Sequence, residues 1–157
     1  MRLKDRKEIK MILSTVKLEE SNINLSLIRE SKKVEFELEG TKETMIVDCV
    51  FLLAEFEDKK ISITLKNNIK ANTESLLSHF ELFLNLANIG REYKTLEALY
   101  EYCEETQTEE NKLEFTNEIN EINEYNKKAI ELLGKDFNYC EIGEEIDIRL
   151  NQIREGK

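Results

Sequence analysis

Proline and tryptophan are absent from this chain, histidine occurs once, and only five glycines and three cysteines are spread over its 157 residues. Without proline, long elements can run on unbroken, and their ends must be read from capping and turn residues. The scattered glycines assemble neither a G-x-x-x-x-G-K-[ST] nor a G-x-G-x-x-G phosphate loop, which speaks against nucleotide hydrolysis. H-E-x-x-H, G-x-S-x-G and EF-hand runs are missing as well, so the usual protease, esterase and calcium signatures are not available. Cys49, Cys103 and Cys140 stand far apart with no C-x-x-C pair. Neither a disulfide framework nor a His/Cys zinc cage follows from one copy, and a reducing compartment suits them. Nothing approaches the roughly 20 apolar residues of a membrane span, and the hydrophobic run in MRLKDRKEIKMILSTV is too short and interrupted for a signal peptide. The expectation is a cytoplasmic protein with no cofactor, no bound metal and no membrane partner.

What is present in quantity is charge. Hydrophobic residues make up 40% and charged residues 36% of the chain, enough apolar content to fold and, at this length, a fit to one domain spanning 1–157. The net charge of −10 is unevenly placed. Sixteen acidic residues balance sixteen basic ones from Met1 to Lys94, whereas Leu96 to Asp147 holds sixteen acidic residues against four lysines. A field of that sign repels nucleic-acid phosphates and anionic lipid and favours a basic protein, although a solvated glutamate surface has the same composition. RLKDRK and SKK are short and lack interleaved aromatics, so direct nucleic-acid binding is not expected. The Lys/Glu/Asn/Ile-heavy usage fits an AT-rich bacterial genome or its phage.

Hydrophobic periodicity divides the chain into a strand-rich part, 14–66, and a helical part, 72–155. Residues Asp5 to Leu13 fit a short helix with Ile9, Ile12 and Leu13 on one side. Ile23 to Leu27, Val34 to Leu38 and Ile61 to Leu65 alternate as half-buried strands, and the polar links ESKK and EDKK predict an antiparallel meander. Met45 to Phe56 supports either state, since Met45, Cys49, Leu52 and Phe56 also recur at helical spacing; its β-branched and aromatic content favours a long central strand. Asp48 is then a carboxylate amid apolar neighbours, either buried and paired or solvated at an edge.

Beyond Asn72 the period becomes 3.6. Leu76, Phe80, Phe83, Leu84 and Ala87 form one face of a core helix, broadened by Leu77, Leu82 and Leu86, with Asn72 or Thr73 as cap and Gly90 beyond its end. His79 lies at the margin of that face, where a hydrogen-bonded structural imidazole outweighs a catalytic base. A second helix is predicted over Thr95 to Glu105, with Leu96, Leu99, Tyr100 and Cys103 inward. A third follows over Glu109 to Leu133, after a Thr106/Glu109 capping box. A final one carries Ile142, Ile146, Leu150 and Ile153, although Ile146, Ile148 and Leu150 alternate as a strand would. The fold class expected is therefore α+β, an antiparallel meander in the N-terminal half with three or four helices from the C-terminal half.

The third helix contains TNEINEINEY, Thr116 to Tyr125, in which Asn-Glu-apolar recurs every three residues. Steps of three fall about 60° short of a full turn, so the repeat alone drifts around a helix. Phe115, Ile119, Ile122, Asn126, Ala129 and Leu133 alternate steps of four and three and make a straighter seam, with Glu110, Glu114, Glu118, Glu121 and Glu124 beside it. These observations point to a non-catalytic protein-binding module, inhibitory or of the immunity or antitoxin kind, that occupies a basic site on a nucleic-acid-processing partner. Glu110, Glu114, Glu118 and Glu121 would steer the encounter and Tyr125 would anchor it. Two other classes compete. One is a structural or homodimeric subunit joined through the seam, with Asn126 fixing register. The other is a small Mg-dependent nuclease gathering Asp48 with Glu57, Asp58 and Lys59, or with Glu35 and Glu37.

Overall fold

The computed structural model describes residues 9–66, 68–103 and 112–156. Four strands are followed by four helices: β1 (Ile9–Leu18), β2 (Ile23–Leu38), β3 (Thr41–Phe56), β4 (Lys59–Leu65), α1 (Thr73–Glu92), α2 (Leu96–Cys103), α3 (Lys112–Leu133) and α4 (Tyr139–Arg154). The strands lie in the order β1-β2-β3-β4, every neighbouring pair antiparallel. This is the α+β class with an N-terminal meander that the alternating patterns announce. The chain divides into two compact units, Met1–Leu77 and Ser78–Lys157.

In the first unit, residues directly opposite one another across an antiparallel pair point to the same face, and that rule builds the core. Val16, Leu25, Ala54 and Ile61 form one row across the four strands; Leu27, Leu52 and Ile63 form the next, and all seven are buried. The Met45 to Phe56 run is strand throughout, as its β-branched content favours. Tight turns close the meander. Glu39 and Gly40 have φ of 51° and 79°, the left-handed pair that a two-residue hairpin needs and that glycine adopts at little cost. EDKK is the turn expected between β3 and β4, with Glu57 at φ 58°.

Two sequence expectations fail here. Residues 9–13 are strand rather than helix, while Asp5 to Glu8 lie outside the described residues. The register of β1 against β2 slips between Ile12 and Ser14, so a bulge at Leu13 interrupts the alternation that would have revealed a strand. ESKK is no hairpin link either. β2 runs straight through it, because Ser31 donates a hydrogen bond to Asp48 across the pair and Lys32 lies 3.7 Å from the Glu30 carboxylate. Extended polar residues are satisfied there without a turn.

The helical elements start where short polar side chains satisfy their first amides. Asn72 Oδ1 accepts from Ser75 N at 2.8 Å, Thr95 Oγ1 from Ala98 N at 3.1 Å, and Asn138 Oδ1 from Glu141 N at 3.2 Å. The Thr106/Glu109 capping box falls outside the described residues. α4 buries Ile142, Ile146 and Leu150 and exposes Ile148, the helical reading of that tail rather than the strand one. Leu82 and Leu96, both expected to face inward, are exposed. Gly90 is not beyond α1 but inside it, and its role is packing. A Cβ there would stand 2.9 Å from Asn126 Cβ and 3.0 Å from the Ile122 carbonyl oxygen, so glycine lets α1 and α3 cross backbone to backbone.

Candidate protein-binding surface

α3 divides into a packed side and a wet side. Ile119, Ala129 and Leu132 are buried, while Phe115, Ile122 and Asn126 are half-buried. The Phe115 to Leu133 seam thus turns toward the interior of its own unit, with Ile122 and Asn126 at the Gly90 crossing. Asn126 Oδ1 is buried with no hydrogen-bond partner among the described residues, the one polar break in the seam.

On the other side Glu118, Glu121 and Glu124 are exposed. Lys127 lies 3.3 Å from Glu124, a pair one helical turn apart and worth only tenths of a kcal/mol in water. Glu114 belongs to α3, and Glu110 lies outside the described residues. The ridge therefore keeps most of its charge for whatever approaches it.

Tyr125 is placed differently from a free anchor. Its ring meets Phe83 edge-on with centroids 5.5 Å apart, and Phe83 stacks on Phe80 at 5.8 Å. Its hydroxyl donates to Glu121 Oε1 at 2.6 Å. Burial first, and then the Glu121 bond and charge, push the phenol up to about 12, so it stays a donor at neutral pH. Tyr125 holds Glu121 in one place on the ridge, which lowers the entropy that a flexible glutamate loses on being bound.

A second cluster joins α1 to α4, and nothing in the sequence signalled it. Glu81 shares a side-chain hydrogen bond with Asp147, and this bond, desolvation and the Asp147 charge raise its pKa from 4.5 to about 7 while Arg154 pulls the other way. Tyr139, at the start of α4, donates to Asn85 on α1, and burial with the nearby Glu81 and Asp147 charges raises its pKa too. Arg91 donates to the Phe137 carbonyl at 2.7 Å and to Asn88 Oδ1 at 2.8 Å, and stands 4.7 Å over the Phe137 ring, clamping the loop that leads into α4.

The carboxyl pair gives a pH dependence with a definite sign. Folded Glu81 keeps its proton to about 7, whereas its ordinary pKa is 4.5; the folded chain binds more protons across that interval, and stability falls as pH rises through it. Asp147→Asn is expected to flatten this slope and to raise stability at about pH 8 by ~1 kcal/mol or less, because solvent screens a partly exposed pair. Urea midpoints for both proteins at about pH 5 and pH 8 measure it. Equal slopes would mean that the two carboxyls do not share a proton.

The carboxylates proposed for a metal site are not brought together. Asp48 is exposed on β3 and accepts from Ser31. Glu35 faces Thr44, four residues along the strand from Asp48 or roughly 13 Å away, and Glu57 is more than twice as far. Among the described residues no group of three His, Cys, Asp or Glu side chains could hold a metal ion, and no helix is long and apolar enough to cross a membrane. No protein-family model matches the chain, and no curated protein or solved structure shows similarity to it.

Proposed function

We propose that this chain is a non-catalytic protein-binding module, inhibitory or of the immunity or antitoxin kind, whose acidic α3 face occupies a basic site on a nucleic-acid-processing protein. The observation that carries the reading is the outward row Glu118, Glu121 and Glu124, set in a segment with sixteen acidic residues against four lysines. A helix packed on one side presents on the other a mainly negative face, with Glu118, Glu121 and Glu124 about 4.5 Å apart along the axis, the same order as the roughly 3.4 Å between phosphates along one DNA strand, and with Lys127 paired to Glu124. A groove built for phosphates would accept it, and long-range attraction would raise the rate of encounter.

The oligomerisation reading loses its proposed seam, because Ile119 and Ala129 are already buried within one copy. The nuclease reading loses proximity among its carboxylates. The test is capture of partners from the native host, and from the same cells infected by phage, with mass-spectrometric identification. A basic nucleic-acid-processing protein retained by the native chain and released by Glu118→Lys, Glu121→Lys and Glu124→Lys together is the expected result. Retention of the same proteins by both would overturn the proposal.

A further inference from the structure

β2 and β3 outrun their neighbours. They pair without a bulge from Ile23 opposite Phe56 to Leu38 opposite Thr41, whereas β1 begins opposite Ser31 and β4 ends opposite Val50. The far half is therefore a two-stranded ribbon, and among the described residues Thr41–Cys49 has no strand beside it on the β4 side. Its faces are unlike. Lys33, Glu35, Glu37 and Lys42 point to one side with Ile46, and Val34, Phe36, Leu38, Met45 and Val47 to the other with Lys32 and Glu43. Val34, Phe36, Leu38 and Met45 remain 38% to 59% exposed, and Ile12 on the same face of the sheet is 67% exposed. A straight, unbulged edge with an apolar face is what natural sheets ordinarily blunt, and this chain has no proline with which to do so.

We propose that the ribbon is a docking surface for a second copy of this chain, joined by antiparallel pairing of β3 with β3 about a two-fold axis at Met45. Lys42 and Asp48 of the free edge meet opposite charges in that register and in neither neighbouring one. Pairing about Met45 sets Lys42 opposite the partner copy's Asp48, twice over, and uses the whole of Thr41–Cys49. A shift of two residues one way puts Lys42 opposite Ile46. A shift the other way leaves Lys42 without a partner, since the residue opposite it would be Val50, which β4 already holds through Leu65, and sets Asp48 opposite Thr44. Ser31 occupies one oxygen of Asp48, and the second carries no bond among the described residues. Because Val34 faces Met45 within each ribbon, the join makes one apolar row of Val34, Met45, Met45 and Val34 across the four-stranded sheet. Cross-strand pairs of this kind, rather than area alone, decide register.

Sedimentation of the full chain from ~1 to ~100 µM tests this. The native protein is expected to pass from monomer to dimer. Lys42→Asp, which sets Asp against Asp at both ends, should weaken the dimer by at least about tenfold, and Lys42→Asp with Asp48→Lys should restore it. Met45→Lys should abolish it by placing two ammonium groups on the axis. All three positions are surface positions, and circular dichroism at matched concentration confirms that the variants fold. A native chain that stays monomeric throughout, or a dimer indifferent to Lys42→Asp and Met45→Lys, would overturn the proposal. Neither outcome bears on the α3 face, which lies in the other unit.

Discussion

Phe80→Ala is expected to cost about 3–5 kcal/mol of folding stability, the range for removing a fully buried aromatic ring from a close-packed interior. Phe80 has no exposed surface and begins the aromatic chain that runs through Phe83 to Tyr125. The ring contributes through its own burial and through the stacked contact with Phe83. The consequence reaches the surface, because Tyr125 leans on Phe83 and holds Glu121 by its hydroxyl. Urea denaturation gives the stability, and a loss below about 1 kcal/mol would mean that this part of the core is not packed as described.

Gly90→Ala is expected to destabilise by about 1–2 kcal/mol although alanine favours a helix over glycine by nearly 1 kcal/mol. The added methyl would meet Asn126 Cβ at 2.9 Å and the Ile122 carbonyl at 3.0 Å, and a backbone oxygen cannot turn away as a side chain can. α1 and α3 must then separate along the crossing. A double-mutant cycle isolates the Asn126 share: with Asn126→Gly in place, the part of the Gly90→Ala penalty due to Asn126 Cβ should vanish, while the part due to the Ile122 carbonyl remains. Strict additivity of the two changes, or a more stable Gly90→Ala protein, would show that the helices do not meet there.

The elements that were legible in the sequence are those whose side chains face one clear boundary. Ile61 to Leu65 alternates because one side of β4 is buried and the other wet, and Leu76, Phe80, Phe83 and Leu84 recur at helical spacing because each of them is buried. β1 does not show as a strand because a bulge shifts its phase at Leu13, and ESKK reads as a link because polar residues in an extended ribbon have the composition of one. Gly90 has the composition of a cap, but its meaning depends on Asn126, which is distant in sequence and adjacent in space. Glu81 and Asp147 likewise show nothing locally. Their pairing is a product of the α1 and α4 packing. Along α3 the seam and ridge could both be read from spacing, whereas the inward commitment of Tyr125 required the position of Phe83.

The central claim is that the α3 glutamates meet a basic protein rather than only water. It is tested most directly by titrating the captured partner against the native chain and against the Glu118→Lys, Glu121→Lys, Glu124→Lys protein over a range of salt concentrations. The account predicts affinity for the native chain that falls steeply with salt, and weaker, nearly salt-independent binding once the three charges are reversed. Equal affinities with the same salt slope would contradict it and leave the ridge a solvated face.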